Sequence, residues 1–202
     1  MSLRYALLAI LRVGPLSGYD LQKQFMQSVG HVWHAPDSQI YPELRRMEEA
    51  GLVDGEEQLR GERGRRRVYH VTDAGDRAFV DWMNAPMEYQ RVRDPAHLRA
   101  AYLETVSADT ARQFFEGHIA QWERELEQWQ GELKRIDLLT NPMLLRRLQV
   151  TAEKDRLRTI AFKRHAYQGL VEDALTEIAW ARRGLLLVDD LAQSSSTEEE
   201  TG

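Results

Sequence analysis

The chain contains no cysteine, so a disulfide framework and a thiolate metal site are both excluded. It also has no run of about 18 apolar residues, the length that a membrane-spanning helix requires. The apolar segment at residues 3–11 is too short for a signal peptide and precedes no small-residue cleavage site. We therefore interpret it as the first helix of a folded domain, and we expect a cytoplasmic protein without a membrane segment.

Sequence features of enzymes are also missing. We find no nucleophile motif, no glycine-rich phosphate loop and no cluster of metal ligands. His31 and His34 are spaced so that both imidazoles fit on one helical face, but Asp37 is the only other ligand nearby. A zinc site needs three or four ligands, so a polar turn is the favoured interpretation. The sequence predicts no metal, no cofactor and no catalytic activity.

The overall charge is not basic. The 202 residues carry a formal net charge of −5, which argues against indiscriminate binding of nucleic acid. Positive charge is instead concentrated between residues 60 and 70, where five arginines and one glutamate give a local charge of +4. Residues 194–200 contain no apolar side chain, and we expect a disordered acidic tail over residues 191–202.

A helix with one apolar side is predicted just before the basic segment. Ile40, Leu44 and Met47 recur at helical spacing and form its apolar stripe. Asp37 stands where it can cap the first turn, and Gly51 stands where it can end the helix. The other positions of this helix, arginines included, are polar and are expected to face outward.

The basic segment is flanked by apolar residues at 52–53 and 68–71, which predicts two strands joined at an arginine-rich tip. A helix with a polar, arginine-bearing face followed by a basic β-hairpin is the layout of a winged helix-turn-helix. In that fold the helix enters the major groove, and the hairpin, or wing, rests on phosphates. The predicted DNA-contacting residues are Ser38, Gln39, Tyr41, Arg45, Arg46, Arg63, Arg65, Arg66 and Arg67.

These residues also have a simpler interpretation. Tyr41, Arg45 and Arg46 could form an ordinary solvated helix surface, and the wing tip could be a flexible solvated loop. However, five like charges held at one tip repel one another without a partner, and the planar fork of arginine suits guanine or phosphate. We therefore favour contact with double-stranded DNA.

A second, helical domain is predicted over residues 96–190, joined to the first domain at residues 1–85 by a linker at residues 86–95. Asp94-Pro95 and Asn141-Pro142 each combine a capping residue with a proline at the first helical position. Such pairs are typical of helix starts.

Two apolar series run through this second domain. The first, from Phe115 to Ile136, is spaced alternately by four and three residues, the pattern of helices packed at a shallow angle. The second, from Phe162 to Leu185, lies on a helix predicted from residue 142 to about 188, roughly 68 Å long. A small domain cannot cover such a helix, so we expect a second copy of the chain to do so in a homodimer. Whether the helix continues through Gly169 is left open.

Some aromatic side chains of this domain are candidates for binding a small aromatic effector. They are Trp122, Trp129, His165, Tyr167 and Trp180. Trp122 and Trp129 lie on the first apolar series, so ordinary core packing is the favoured interpretation. The two interpretations agree if an effector pocket lies at the dimer interface.

Four segments, taken as a set, resemble a known family: residues 3–11, Gly14 to Leu21, Ile40 to Val53, and Arg67 to Gly75. Over about 80 residues they resemble the PadR family of bacterial transcriptional regulators. The helical second segment is similar to the larger PadR subclass, whose C-terminal domain resembles that of virulence-gene activators. The resemblance implies a homodimeric DNA-binding regulator, usually a repressor, sometimes released by a small aromatic or phenolic ligand.

The sequence therefore predicts a mainly α protein with a winged helix-turn-helix N-terminal domain and a long-helix C-terminal dimerisation domain. As a transcriptional regulator it would bind a near-palindromic operator as a homodimer. The alternative is a winged-helix scaffold whose basic wing docks on an acidic protein partner. Salt dependence separates the two, because binding to several phosphates weakens linearly with salt on a log–log plot.

Overall fold

The computed structural model describes residues 2–27, 36–60, 64–87, 89 and 93–199 and divides the chain into two units, Met1–Tyr89 and Gln90–Gly202. The division falls inside the linker predicted at residues 86–95. His31 and His34 lie outside the described residues, as does Arg63 at the wing tip. Among the described residues, no helical stretch has the length and hydropathy of a transmembrane segment.

The first unit contains four helices and a three-stranded antiparallel sheet within the ranges described above. The elements are α1 (Ser2–Leu11), β1 (Leu16–Ser17), α2 (Gly18–Met26), α3 (Asp37–Glu49), β2 (Val53–Arg60), β3 (Gly64–Val71) and α4 (Asp73–Asn84). The strand order is β1-β3-β2, so the long hairpin of β2 and β3 is the predicted wing.

The apolar stripe of α3 is buried as predicted. Ile40, Leu44 and Met47 have no exposed surface, and Leu7 of α1 and Leu21 of α2 are equally buried. Burial of each such side chain contributes about 1.5–3 kcal/mol. One side of α3 is therefore fixed against α1 and α2, and the opposite side is left to solvent.

Capping interactions define where the helices of this unit begin. Ser17 Oγ accepts the Asp20 N–H at 3.1 Å, and Thr72 Oγ1 accepts the Gly75 N–H at 3.1 Å, so these two side chains cap the starts of α2 and α4. The α3 helix differs from the prediction, because its first turn closes on the Pro36 carbonyl. Asp37 is therefore the first helical residue and not the cap.

Gly51 ends α3 as predicted, through a left-handed turn with φ of 66°. The Gly51 N–H bonds to the Glu48 carbonyl, and the Leu52 N–H bonds to the Met47 carbonyl, both at 2.9 Å. These two bonds form a Schellman motif, in which a glycine adopts the positive φ at little cost. The chain therefore passes from α3 to β2 with only three intervening residues.

The second unit is helical throughout its described elements. They are α5 (Pro95–Ala100), a 3₁₀ turn (Leu103–Thr105), α6 (Ala108–Asp137), α7 (Pro142–Val150) and α8 (Glu153–Glu199). Asp94 caps α5, Ser107 caps α6 and Asn141 caps α7. The starts at Asp94 and Asn141 were predicted.

The predicted single helix from residue 142 is wrong, because the chain leaves the helical conformation at Thr151, where φ is −91° and ψ is 130°. The helix that follows, α8, has 47 residues and continues through Gly169, which a 1.5 Å rise per residue makes about 70 Å long. It also includes residues expected to be disordered, since it extends to Glu199. The composition of this segment shows that it lacks apolar side chains to pack. It does not show that helical hydrogen bonds can propagate into the segment from a helix that is already formed.

The apolar series of α6 packs on α8 of the same chain, not on a second copy. One cluster contains Trp129, Ile136 and Tyr167, and another contains Phe115 and Ala181. Two members of the predicted α8 stripe point elsewhere, because Phe162 is 63% exposed and Ala166 is also exposed. The α6 series therefore has its partner within the same chain, whereas part of α8 stays uncovered, and its covering by a second copy of the chain stays a prediction.

Candidate nucleic-acid interface

The exposed face of α3 carries the five helix residues predicted to contact DNA. Ser38, Gln39, Tyr41, Arg45 and Arg46 are all exposed, because the helical period places them away from the buried stripe. The sequence therefore located this face correctly. Whether each residue touches DNA stays a prediction.

The two arginines on this face have different surroundings. Arg46 Nη1 lies 3.3 Å from Glu43 Oε2, and Glu43 Oε1 also accepts from Arg4 Nε at 2.9 Å. Arg46 is thus partly held by a bridge that ties α3 to α1. Arg45 makes no hydrogen bond or ion pair with the residues that the structure describes. Its guanidinium is available to an external partner.

Tyr41 is held against the start of α2. A Cβ atom at Gly18 would lie 2.8 Å from Tyr41 Cε1, so only glycine admits the ring at this distance. The ring remains 42% exposed. Gly18 therefore leaves room for the Tyr41 ring where α2 meets α3, a role that sequence reasoning missed.

The wing is a regular antiparallel hairpin whose pairing runs from Val53 opposite Val71 to Arg60 opposite Gly64. Arg66 is exposed and its Nη2 lies 3.4 Å from the Gln58 Oε1 of the facing strand. Arg65 lies on β3 near the tip. The described part of the wing thus presents arginine on the strand that leads back from the tip.

Arg67 differs from its neighbours because it is paired with α3. Its Nη2 donates to Glu48 Oε1, and this hydrogen bond, together with the negative charge of Glu48, raises the pKa of the Arg67 guanidinium. The same oxygen of Glu48 accepts the Gly55 N–H at 3.1 Å. Neither Glu48 nor Gly55 was singled out from the sequence, because their partners are distant along the chain and follow no local period.

A cavity of about 300 Å³ separates the wing from the start of α2. Its lining residues are Ser17, Gly18, Tyr19, Asp20, Tyr41, Arg66, Arg67 and Tyr69. Burial raises the pKa of the Tyr69 phenol, so this side chain stays neutral at ordinary pH. The cavity borders the exposed arginines and Tyr41, and so belongs to the same surface.

The predicted effector residues do not form one site. Trp122 and Trp129 meet edge to face at 6.1 Å between ring centroids, and Tyr167 belongs to the same buried cluster. Trp180 lies in the other cluster, stacked at 4.2 Å on His97. His165 is exposed. The interpretation of Trp122 and Trp129 as core residues agrees with the burial of Trp129 and with the packing of the half-buried Trp122 against the same cluster.

A buried polar network lies beside that first cluster. Glu132 and Asn141 are only 5% and 2% exposed. Glu132 Oε2 accepts from Asn141 Nδ2 at 2.8 Å, and Glu132 Oε1 accepts from Arg135 Nη2 at 2.5 Å. Burial lowers the pKa of Lys163 and raises the pKa of Tyr167. No metal-binding group of three or more acidic or histidine side chains occurs among the described residues.

A second cavity, of about 570 Å³, opens between α5, the 3₁₀ turn and α6. Its walls are largely apolar, with Arg99 as a charged member. The lining residues are Leu98, Arg99, Tyr102, Leu103, Thr105, Val106, Thr110, Gln113 and Phe114. None of the five predicted effector residues lines it.

The helices α1, α2 and α3, the last with its exposed arginines, followed by an antiparallel hairpin, define a winged helix-turn-helix protein of the DNA-binding class. The family model of the PadR-like transcriptional regulators matches residues 7–81. The chain is 31% identical over 143 residues to the negative transcriptional regulator PadR of Bacillus subtilis (strain 168), which covers 70% of this chain and 78% of that protein. The chain therefore belongs to the PadR-like family of transcriptional regulators, which are not enzymes.

Solved structures share the fold over nearly the whole chain. Bacillus subtilis PadR in complex with operator DNA superposes with a TM-score of 0.73 at 23% identity, over 93% of this chain and 99% of that one. PadR in complex with p-coumaric acid gives 0.65 at 25% identity, over 93% and 95%. The Vibrio cholerae virulence activator AphA gives 0.67 at 25% identity, over 94% and 99%.

Proposed function

We propose that this regulator is a repressor that binds a near-palindromic DNA operator as a homodimer and releases it when a small aromatic acid binds. The observation that carries the DNA-binding part is the exposed face of α3, where Arg45 is unpaired among described residues and stands beside the arginine-bearing wing. Similarity to a regulator crystallised with operator DNA supports the same function. A DNA-binding regulator of this kind acts in the cytoplasm.

The residues divide by the chemistry that each offers. Ser38, Gln39, Tyr41 and Arg45 lie on the exposed side of α3, and we assign them to the major groove. Arg46 is partly held by Glu43, and it is better suited to contact the DNA backbone that flanks the groove. Arg63, Arg65 and Arg66 belong to the wing and are assigned to phosphates, which position the protein without reading the sequence. The role of Arg67 is considered below.

Exposed leucines on α8 support the dimer. Leu157, Leu175 and Leu186 are 81%, 48% and 63% exposed. They are separated by 18 and 11 residues, close to whole numbers of helical turns, so they lie along one line of α8. Apolar side chains aligned on an exposed helix mark a protein–protein interface more often than scattered ones. A second copy of the chain is the partner that we assign to this line.

The effector proposal rests on the cavity beside α5 and on a relative. Bacillus subtilis PadR has been crystallised with p-coumaric acid, and the 570 Å³ cavity lies within the size range of small-molecule sites. Its apolar wall suits an aromatic ring and Arg99 suits a carboxylate. Trp122, Trp129, His165, Tyr167 and Trp180 remain the alternative effector residues, although Trp129 and Tyr167 are packed in the core.

The test is selection of bound duplexes from a random DNA pool, followed by titration of the selected duplex over a range of salt concentrations. We expect an enriched inverted repeat with half-sites about one helical turn apart, roughly 34 Å, and a linear loss of affinity with salt on a log–log plot. Adding p-coumaric acid should release the duplex. Failure to enrich any sequence would favour the alternative, a scaffold that docks an acidic protein.

A further inference from the structure

One oxygen atom of Glu48 joins three elements of the first unit. Glu48 lies near the end of α3, and its Oε1 accepts the N–H of Gly55 in β2 at 3.1 Å. The same Oε1 accepts from the guanidinium of Arg67 in β3. Both strands of the wing are therefore attached to the helix that carries the exposed arginines. The attachment lies between the wing tip and the point where the hairpin leaves the core.

Gly55 provides the space that this arrangement needs. A Cβ atom at position 55 would lie 2.7 Å from Glu48 Oε1 and closer still to Arg67 Nε. Glycine inside a strand weakens the sheet, and its presence there often marks a close approach by other groups. At Gly55 the groups that approach are the two charged side chains, so a larger residue would displace at least one of them.

Fold stability does not account for this network. The side chain of Arg67 is 44% exposed and that of Glu48 is 28% exposed, and ion pairs as exposed as this add little to the free energy of folding. A carboxylate beside a phosphate-binding surface also opposes DNA by its charge. The charge of Glu48 therefore weakens DNA binding, unless the contacts of Glu48 with Gly55 and Arg67 favour binding in another way.

We propose that Glu48 and Arg67 are positioning residues that set the angle between the wing and α3, and so determine specificity. The inference rests on the proposed DNA-binding function. With a fixed angle, only certain DNA sites can accept α3 in the major groove and the wing on their phosphates at the same time. Arg67 then acts through Glu48, whereas Arg66, which points to the other face of β3, contacts phosphate directly.

Full-length variants distinguish positioning from simple charge. We would measure binding by fluorescence anisotropy over a range of salt concentrations, with the duplex selected above and a random-sequence duplex of equal length. The variants are Glu48→Ala, Arg67→Ala and the double substitution. Glu49→Ala is the matched control, because it removes the same charge from the exposed residue next to Glu48.

For Glu48→Ala, the positioning role predicts a loss of affinity for the selected duplex, whereas removal of a negative charge alone predicts a gain. Glu48→Ala should weaken binding to the selected duplex roughly three- to tenfold, while binding to the random duplex is unchanged or tighter. Arg67→Ala should weaken binding to the selected duplex by a similar factor, with little change for the random duplex and no flattening of the salt slope. The double variant should bind no more weakly than the weaker-binding of the two single variants. Glu49→Ala should leave both duplexes bound at least as tightly as before. In NMR spectra the Gly55 amide signal should move in Glu48→Ala, while the thermal transition stays close to that of the wild type.

Other results would overturn the proposal in recognisable ways. If Glu48→Ala tightens binding to both duplexes as Glu49→Ala does, and Arg67→Ala flattens the salt slope with additive losses, Arg67 is a plain phosphate contact. An unmoved Gly55 amide signal in Glu48→Ala would mean that the network does not hold the wing. A wild-type chain that binds neither duplex would overturn the proposed function, and this inference with it.

Discussion

Glu132 and Asn141 form a buried hydrogen bond of 2.8 Å that fixes the start of α7. Asn141 donates from its Nδ2 to Glu132, which leaves its Oδ1 to accept the Leu144 N–H at 2.8 Å. The carboxylate of α6 thus orients the cap of α7. A cap is normally a local matter, but here its orientation depends on a residue of another helix.

Asn141→Asp tests this dependence. Aspartate is as good a cap as asparagine, but it would place a second carboxylate 2.8 Å from Glu132 in a buried site. We expect a loss of about 1–3 kcal/mol in the free energy of unfolding at pH 7, measured by urea denaturation. Asn141→Ser, which keeps a cap without adding charge, should lose less.

The same variant should have a characteristic pH dependence. Two carboxylates that share a site raise the pKa of one of them above its unfolded value, so the folded state binds a proton more readily than the unfolded state. The deficit of Asn141→Asp should therefore shrink as the pH falls below neutrality and be largest above the raised pKa. A deficit that is constant between pH 5 and 8 would contradict this explanation.

Gly75→Ala should destabilise the first unit. A Cβ atom at Gly75 would lie 3.0 Å from the carbonyl carbon of Leu52 and closer still to its oxygen, and backbone atoms cannot rotate away. Overpacking of this kind costs about 1–3 kcal/mol. Gly117→Ala in α6 is the control, because a Cβ there meets nothing within 4 Å and alanine favours a helix by up to about 1 kcal/mol. Thermal unfolding of the two variants should shift in opposite directions.

Arg45→Ala should reduce specific binding more than nonspecific binding. The Arg45 side chain is exposed on the outer face of α3, where a bidentate contact to a base is worth about 1–3 kcal/mol. Binding to the selected duplex should weaken by that amount, and preference at one base position should relax in a repeated selection. Equal losses on selected and random duplexes would show that Arg45 touches only the backbone.

Arg66→Ala should act on all DNA alike. Its guanidinium is exposed on the wing, and among the described residues its hydrogen bond is a long one, 3.4 Å, to Gln58. Loss of one phosphate contact should flatten the log–log salt slope by about one unit and weaken both duplexes similarly. An unchanged slope would remove Arg66 from the phosphate-binding surface.

The dimer should depend on the line of leucines along α8. A chain with Leu175→Glu and Leu186→Glu should sediment as a monomer at micromolar concentrations, because charges in an apolar interface are strongly disfavoured. Phe162→Glu is the control, since Phe162 is as exposed as Leu186, both at 63%, but lies off this line. If the control also dissociates, or the double variant remains dimeric, the interface lies elsewhere.

A structural feature could be predicted from the sequence when the residues that determine it lie close together along the chain. The helix starts at Asp94 and Asn141 were predicted because a capping residue followed by proline is a pattern within a single turn. The buried stripe of α3 was predicted from its period. In contrast, the apolar series of α6 showed only that a partner was required, and could not show that α8 of the same chain supplies it.

The same difference between local features and long-range contacts applies to the candidate interface. The exposed residues of α3 were predicted because they lie off the buried stripe, and the wing was predicted from its density of arginine. The link between Glu48 and Arg67 spans 19 positions of sequence and depends on the register of β2 and β3. Sequence patterns with periods of 2.0 and 3.6 residues carry no record of such a contact, so Arg67 was grouped with the arginines beside it.

The residue-by-residue pairing of the wing, which ends with Arg60 opposite Gly64, also makes it adjustable in length. Inserting one residue in each strand at that end would extend the hairpin by about 3.4 Å and turn the outermost side chains to the other face. Inserting two in each strand would restore the face and add about 7 Å. The buried residues of α3 would not need to change. Engineered versions of this regulator could therefore reach phosphates farther from the groove while keeping the same base-reading helix.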